Sequence, residues 1–104
     1  MKSVKALMDL SGRKALLTGG AGHIGLAVGE TLVELGASVS VLDISVQDCE
    51  ERVSVLSGIR EDSAVAISAD LLDESETREA VRRAIETMGG LDILVHCAAY
   101  VGTT

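Results

Sequence analysis

The sequence predicts an α/β fold: a three-layer sandwich on a parallel sheet of order 3-2-1-4, the first half of a doubly wound fold. Three observations predict it. Short aliphatic runs alternate with stretches of helical period along the 104 residues, the pattern of successive βαβ units. The runs are continuous rather than alternating with polar residues, as in strands covered on both faces. Three glycines in G-x-G-x-x-G spacing, Gly20, Gly22 and Gly25, join the first run to the first helical stretch. Right-handed crossovers then set the strand order. The crevice where that order switches lies at the carboxyl ends of the first and fourth strands.

Each element has its own signal. The first strand is Lys14–Thr18. The first helix runs from about Ile24 to Leu35, with Ile24, Val28, Leu32 and Leu35 at helical spacing and Gly36 as its C-terminal stop. Gly25 and Gly29 leave room for that helix to pack closely on the sheet. The second strand is Ser38–Asp43. The second helix carries the stripe Val46, Cys49, Val53, Leu56 and is expected to end at Gly58. The third strand is Ala64–Ser68. The third helix carries Val81, Ala84, Ile85 and Met88, with Asp73 and Glu76 as a capping box and Gly89-Gly90 as terminator. The fourth strand is Leu91–Cys97. The stripes read as core faces, the ordinary use of an amphipathic helix.

Composition narrows the function classes. The length suits one domain at most, a small one for this class. Hydrophobic residues make up 47%, yet there is one Tyr and no Phe, Trp or Pro, so the core is aliphatic. A net charge of −7 argues against nonspecific binding to nucleic acid or to an anionic membrane. Cys49 and Cys97 have neither C-x-x-C nor metal-ligand spacing and read as reduced, buried side chains; no metal site is expected. Residues 1–10 lack an apolar secretory core, and no apolar run reaches the ~18–20 residues that span a bilayer. A cytoplasmic location is expected.

The chemistry lies in the run Thr18-Gly19-Gly20-Ala21-Gly22-His23-Ile24-Gly25. A glycine-rich turn between a strand and a helix lets backbone N–H groups approach a pyrophosphate at the helix N-terminus, where the helix dipole favours negative charge. Asp43 ends the second strand, roughly 20 residues beyond the glycines, where a carboxylate can accept hydrogen bonds from both ribose hydroxyls of an adenosine. The same carboxylate would repel a 2′-phosphate, and the next residue is Ile44 rather than Arg or Lys. The expected cofactor is therefore NAD in preference to NADP. A helix cap or turn is the structural alternative for Asp43.

These residues resemble the N-terminal part of a short-chain dehydrogenase/reductase, a family with a Rossmann-like fold. The resemblance rests on Leu17-Thr18-Gly19-Gly20-Ala21-Gly22-His23-Ile24-Gly25, Val41-Leu42-Asp43, Ala69-Asp70-Leu71 and Gly90-Leu91-Asp92-Ile93-Leu94-Val95, from about Asp9 to Gly102. It implies that Asp70 contacts the adenine amino group, against a loop-capping alternative. It implies that Leu71 and Ala98 flank the adenosine. It also implies that His96-Cys97-Ala98-Ala99 lines the cofactor and ties the sheet together. The implied cofactor-binding set is Gly19, Gly20, Gly22, His23, Ile24, Gly25, Asp43, Ile44, Asp70, Leu71, Cys97, Ala98 and Ala99. His23 reads as a solvent-facing loop residue or a phosphate contact, and His96 as a strand-end residue rather than a general base.

The chain departs from the family pattern in two places. The simple oxidoreductase branch has TGxxxGxG, with Gly where His23 stands, and Asn-Asn-Ala-Gly where this chain has His96-Cys97-Ala98-Ala99. Both departures resemble the extended branch of nucleotide-sugar epimerases and dehydratases, whereas Gly89 to Val95 and the long third helix resemble the simple branch. The family's acid/base is a Tyr-x-x-x-Lys pair beyond the fourth strand, assisted by a serine. No such pair occurs here: Tyr100 is followed four positions on by Thr104, and no Lys follows Lys14. No catalytic residue is therefore assigned. Residues 1–104 are expected to be the N-terminal part of a single NAD(P)-binding domain, truncated after the fourth strand. That strand would be an open apolar edge prone to association. The expected function is the dinucleotide-binding half of an oxidoreductase with a small-molecule substrate, homo-oligomeric when full length. An epimerase or dehydratase, or a non-catalytic dinucleotide-binding module, is the alternative.

Overall fold

A computed structural model describes residues 3–97. A short helix, α1 (Val4–Leu7), is capped by the Ser3 hydroxyl, which accepts from the Ala6 N–H. Its four residues are too few to carry an apolar period that would mark a helix in the sequence. Then follow β1 (Lys14–Thr18), α2 (His23–Glu34), β2 (Ser38–Asp43), α3 (Val46–Ile59), β3 (Ala64–Ser68), α4 (Glu74–Met88) and β4 (Ile93–His96). The sheet is parallel in the order β3-β2-β1-β4, as the alternation predicts.

Register brings the strand ends together. Thr18 pairs with Leu42 on one side and His96 on the other, and Asp43 pairs with Ser68. One carboxyl edge therefore presents Thr18, Asp43, Ser68 and His96 in a row.

Period-2 alternation divides the core. Ala15, Leu17, Val39 and Val41 face α2 and α3, where they meet Val33, Cys49 and Leu56. Leu16, Leu42 and Ile67 face the other way, onto Ala80 and Ala84 of α4. Two helices on one face and one on the other make the three layers. The central strands β1 and β2 are buried on both faces, whereas β4 pairs only with β1 among the described residues and leaves Leu94 64% exposed.

Several local expectations are corrected. Gly58 does not stop α3: its backbone is ordinary, and the helix continues to Ile59, ending at the extended Arg60, whose guanidinium donates to the Ala37 carbonyl. The capping box at α4 is half formed. Asp73 accepts from the Glu76 N–H at 3.0 Å, but the Glu76 carboxylate accepts from Asp70 N–H instead of turning back to Asp73. Ile85 is exposed, because α4 approaches the sheet along the small residues Ala80 and Ala84 and leaves Ile85 beside the contact line; Ile24 and Val46, read as members of the core stripes of α2 and α3, are likewise exposed, in the first turns of their helices. β4 spans Ile93–His96 and is shorter than Leu91–Cys97; at Asp92 the Lys14 N–H is taken at 2.8 Å by the side-chain carboxylate instead of by a strand carbonyl.

Two buried polar atoms lack a partner among the described residues, Ser40 Oγ and Arg60 Nε. Ser40 Oγ lies at 0% exposure in β2 without a hydrogen bond. An unpaired buried hydroxyl carries a desolvation cost with no return. Ser40→Ala is expected to leave the fold intact and raise stability by about 0.5–1 kcal/mol, read as an increased thermal midpoint.

Candidate functional site

The glycine loop leaves β1 at the switch point of the sheet. Gly19 takes φ +71°, a left-handed turn that L side chains rarely adopt, and its N–H donates 2.8 Å to the Leu42 carbonyl. This bond holds the loop against the end of β2. Gly25, in the first turn of α2, is where loop and helix press together. A Cβ there would stand 2.6 Å from both the Gly19 carbonyl oxygen and Gly20 Cα. Its space is thus filled by the loop, not by the sheet as the spacing suggested. Gly29, one turn on, packs on Leu17 of the sheet and Leu56 of α3.

Gly22 is different. It is exposed, with φ −78°, and an added Cβ would meet only the Gly19 oxygen at an ordinary 3.6 Å. Nothing in the fold requires glycine there. As N-cap of α2 it also offers no side-chain acceptor. Ser45 caps α3 and Asp73 caps α4, so α2 is the one long helix among the described residues that begins without a side-chain cap. Its first turn holds no acid, and the His23, Ile24 and Gly25 N–H groups have no acceptor among the described residues. Unsatisfied N–H groups at a helix start carry the positive end of its dipole. His23 and Ile24 stand exposed on this turn, Ile24 at 74%.

Asp43 faces the loop from the end of β2. Its Oδ2 accepts from the Ala21 N–H at 3.2 Å and its Oδ1 from the Ile44 N–H at 2.8 Å. Asp43 does not cap α3, because Ser45 does; the helix-cap alternative for Asp43 is thereby removed. A carboxylate offers about four acceptor directions, so two remain for a ligand. Ile44 beside it is 64% exposed. Behind Asp43, the Cys49 thiol is fully buried, and its single proton has two alternative acceptors, the Asp43 and Ile67 carbonyls at 3.8 and 3.7 Å from Sγ. Burial, reinforced by the Asp43 charge, pushes its pKa up, which favours the neutral thiol.

The opposite rim is less complete. Asp70, half-buried after β3, accepts from the Leu72 N–H at 3.0 Å through Oδ1, an Asx turn of the kind weighed as its alternative role. Oδ2 has no bond among the described residues. Leu71 packs partly buried against the α4-side core. His96 and Thr18 share a 2.6 Å hydrogen bond between Nδ1 and Oγ1 that ties β4 to β1 at the carboxyl edge. Cys97, half-buried, donates its N–H to the Thr18 carbonyl at 2.8 Å. Ala98, Ala99 and Tyr100 lie outside the described residues. No cluster of His, Cys, Asp and Glu able to hold a metal occurs among the described residues, and no helix there is long and apolar enough to cross a membrane.

Sequence reasoning missed one residue of this edge. Arg52 of α3 donates from Nε to the Ala21 carbonyl at 2.9 Å. The available signal was a charge set in a buried stripe: 52 falls between 49 and 56 at helical spacing.

Residues 13–104 match the family described as short chain dehydrogenase. A 2,3-dihydroxy-2,3-dihydro-p-cumate dehydrogenase of Pseudomonas putida is 36% identical over 91 residues, covering 88% of this chain and 35% of that protein. The structure of a short-chain type dehydrogenase/reductase from Mycobacterium marinum superposes with a TM-score of 0.83 at 30% identity, covering 88% of this chain and 36% of that one. An NAD+-bound xylitol dehydrogenase superposes with a TM-score of 0.78 at 26% identity, covering 82% and 32%. The chain spans 35% of the length of the curated relatives it matches first.

Proposed function

This chain belongs to the short-chain dehydrogenase family, and from that premise we propose that residues 1–104 are the first part of one nucleotide-binding domain in an NAD(P)-dependent oxidoreductase. The substrate is a small molecule, the setting cytoplasmic and the assembly a homo-oligomer. The observation that carries the reading is the uncapped start of α2 beneath a glycine loop, with Asp43 beside it.

The residues fit a dinucleotide. The first-turn N–H groups of His23, Ile24 and Gly25 are donors aimed at solvent with the helix dipole behind them, the arrangement that holds a pyrophosphate. Gly22, which the fold itself does not need as glycine, is explained by close approach of a ligand to the backbone. The two unused acceptor directions of Asp43 suit a pair of ribose hydroxyls, and Ile44 supplies an apolar wall beside them. Gly19 and Gly20 shape the loop. Asp70 Oδ2 is the acceptor for the adenine amino group, Leu71 lies behind it, and Cys97 at the end of β4 lines the cofactor, a role that the family pattern extends to Ala98 and Ala99. When bound, the nicotinamide accepts or donates the hydride, and the chain's own residues here bind and orient.

Asp43 selects NAD. A 2′-phosphate would meet its carboxylate at close range, and Ile44 offers no compensating charge. Titration of both oxidised cofactors by calorimetry is expected to show NAD binding at least tenfold tighter than NADP. Tighter NADP binding would refute this role of Asp43. That an NAD+-bound xylitol dehydrogenase superposes on the chain supports the same preference.

A further inference from the structure

Ala21, at the tip of the glycine loop, is gripped on both of its backbone polar groups. Its N–H donates to Asp43 Oδ2 at 3.2 Å and its carbonyl accepts from Arg52 Nε at 2.9 Å. The two partners come from different elements, the end of β2 and the middle of α3, and bear opposite charges. Bonds to charged groups are roughly twice as strong as neutral ones. Arg52 is half-buried in the stripe between Cys49 and Leu56, and it forms no ion pair with an acid among the described residues. Its one hydrogen bond there is to the loop. α3 lies close enough for that reach because α2 packs on it through Gly29, where a Cβ would come 3.3 Å from Leu56 Cδ1.

We propose that Arg52 is a positioning residue for the dinucleotide: it clamps the Ala21 carbonyl so that the free N–H groups opening α2 keep one fixed geometry. The proposal rests on the reading of this loop as the pyrophosphate site. The loop bears no side chain that could brace its tip, since its neighbours are Gly20 and Gly22. Bracing must come from outside, and Arg52 and Asp43 supply it from opposite sides. A site held in advance loses less freedom on binding. Arg52 thereby raises affinity without touching the ligand.

The test compares wild type, Arg52→Met and Arg52→Lys in the protein as it is naturally produced. Met keeps an unbranched apolar stem and removes the donor; Lys restores a charged donor. Amide hydrogen exchange is followed over residues 18–26, alongside NAD affinity across a series of salt concentrations and the thermal midpoint. The expected result in R52M is faster exchange confined to the loop and NAD affinity reduced by about tenfold, the scale of one hydrogen bond lost. The salt dependence of binding should keep its wild-type slope, and R52K should recover most of the loss. Loop exchange equal to wild type in R52M would overturn the clamp. A flattened salt slope would overturn the positioning role, because it marks a direct charge contact with the cofactor phosphates. Wild type binding neither NAD nor NADP would overturn the dinucleotide reading and, with it, this role for Arg52; tight wild-type binding that R52M matched would overturn the role alone.

Discussion

Gly25→Ala is expected to abolish measurable dinucleotide binding and to cost about 2–3 kcal/mol of stability. The added methyl would lie 2.6 Å from the Gly19 carbonyl oxygen and from Gly20 Cα. Both obstacles are backbone, so no side-chain rotation relieves the overlap, and forced overpacking of this kind costs about 1–3 kcal/mol. The strain is released only by lifting the loop off the helix start. That movement breaks the Gly19 N–H bond to Leu42 and tilts the first-turn donors away from their common focus. Calorimetric titration with NAD and a denaturant melt read the two effects separately. An alanine variant that binds NAD like wild type would show that the loop–helix contact does not shape the site. Gly22→Ala is the informative contrast. Its Cβ meets nothing closer than 3.6 Å, so stability should stay near wild type while binding falls.

Asp43→Ala is the second large effect, on binding rather than folding. Hydrogen bonds to a charged group contribute about 1.5–3 kcal/mol, so NAD affinity should fall by roughly 10- to 150-fold at ~1.4 kcal/mol per factor of ten. NADP should lose much less, because removal of the carboxylate also removes its repulsion of the 2′-phosphate. The NAD/NADP ratio is the decisive readout, since a general loosening of the loop would weaken both cofactors alike. Asp43→Asn refines it: the amide keeps one acceptor and drops the charge, so NADP discrimination should shrink more than NAD affinity. An unchanged ratio in D43A would remove Asp43 from the ribose site.

Much of this arrangement is legible along the chain because it is local. The strands are announced by Leu16-Leu17, Val39 to Leu42 and Ile93 to Val95, and short right-handed crossovers leave few ways to order them. The glycine run declares its turn because a left-handed residue such as Gly19, at φ +71°, is cheap only for glycine. Asp43 is foreseeable because a strand of fixed rise ends at a predictable distance from the loop. Where local signals are ambiguous, the sequence misleads. Gly58 looks like a helix stop, but glycine in a helix is only mildly unfavourable and no left-handed turn is demanded there. Ile85 completes an apolar stripe on paper, yet the helix seats itself on two alanines.

The sequence by itself determined the layer architecture, the strand order and the position of the glycine turn between β1 and α2, because period, turn chemistry and handedness act between near neighbours. Only the tertiary structure decided that Gly25 packs on its own loop rather than on the sheet, that Ser45 relieves Asp43 of capping α3, and that Arg52 reaches across to Ala21. Those outcomes depend on how closely α2 and α3 settle against each other and against β1. That closeness is set by side chains distant in sequence that share one densely packed interior, where small changes in volume are felt.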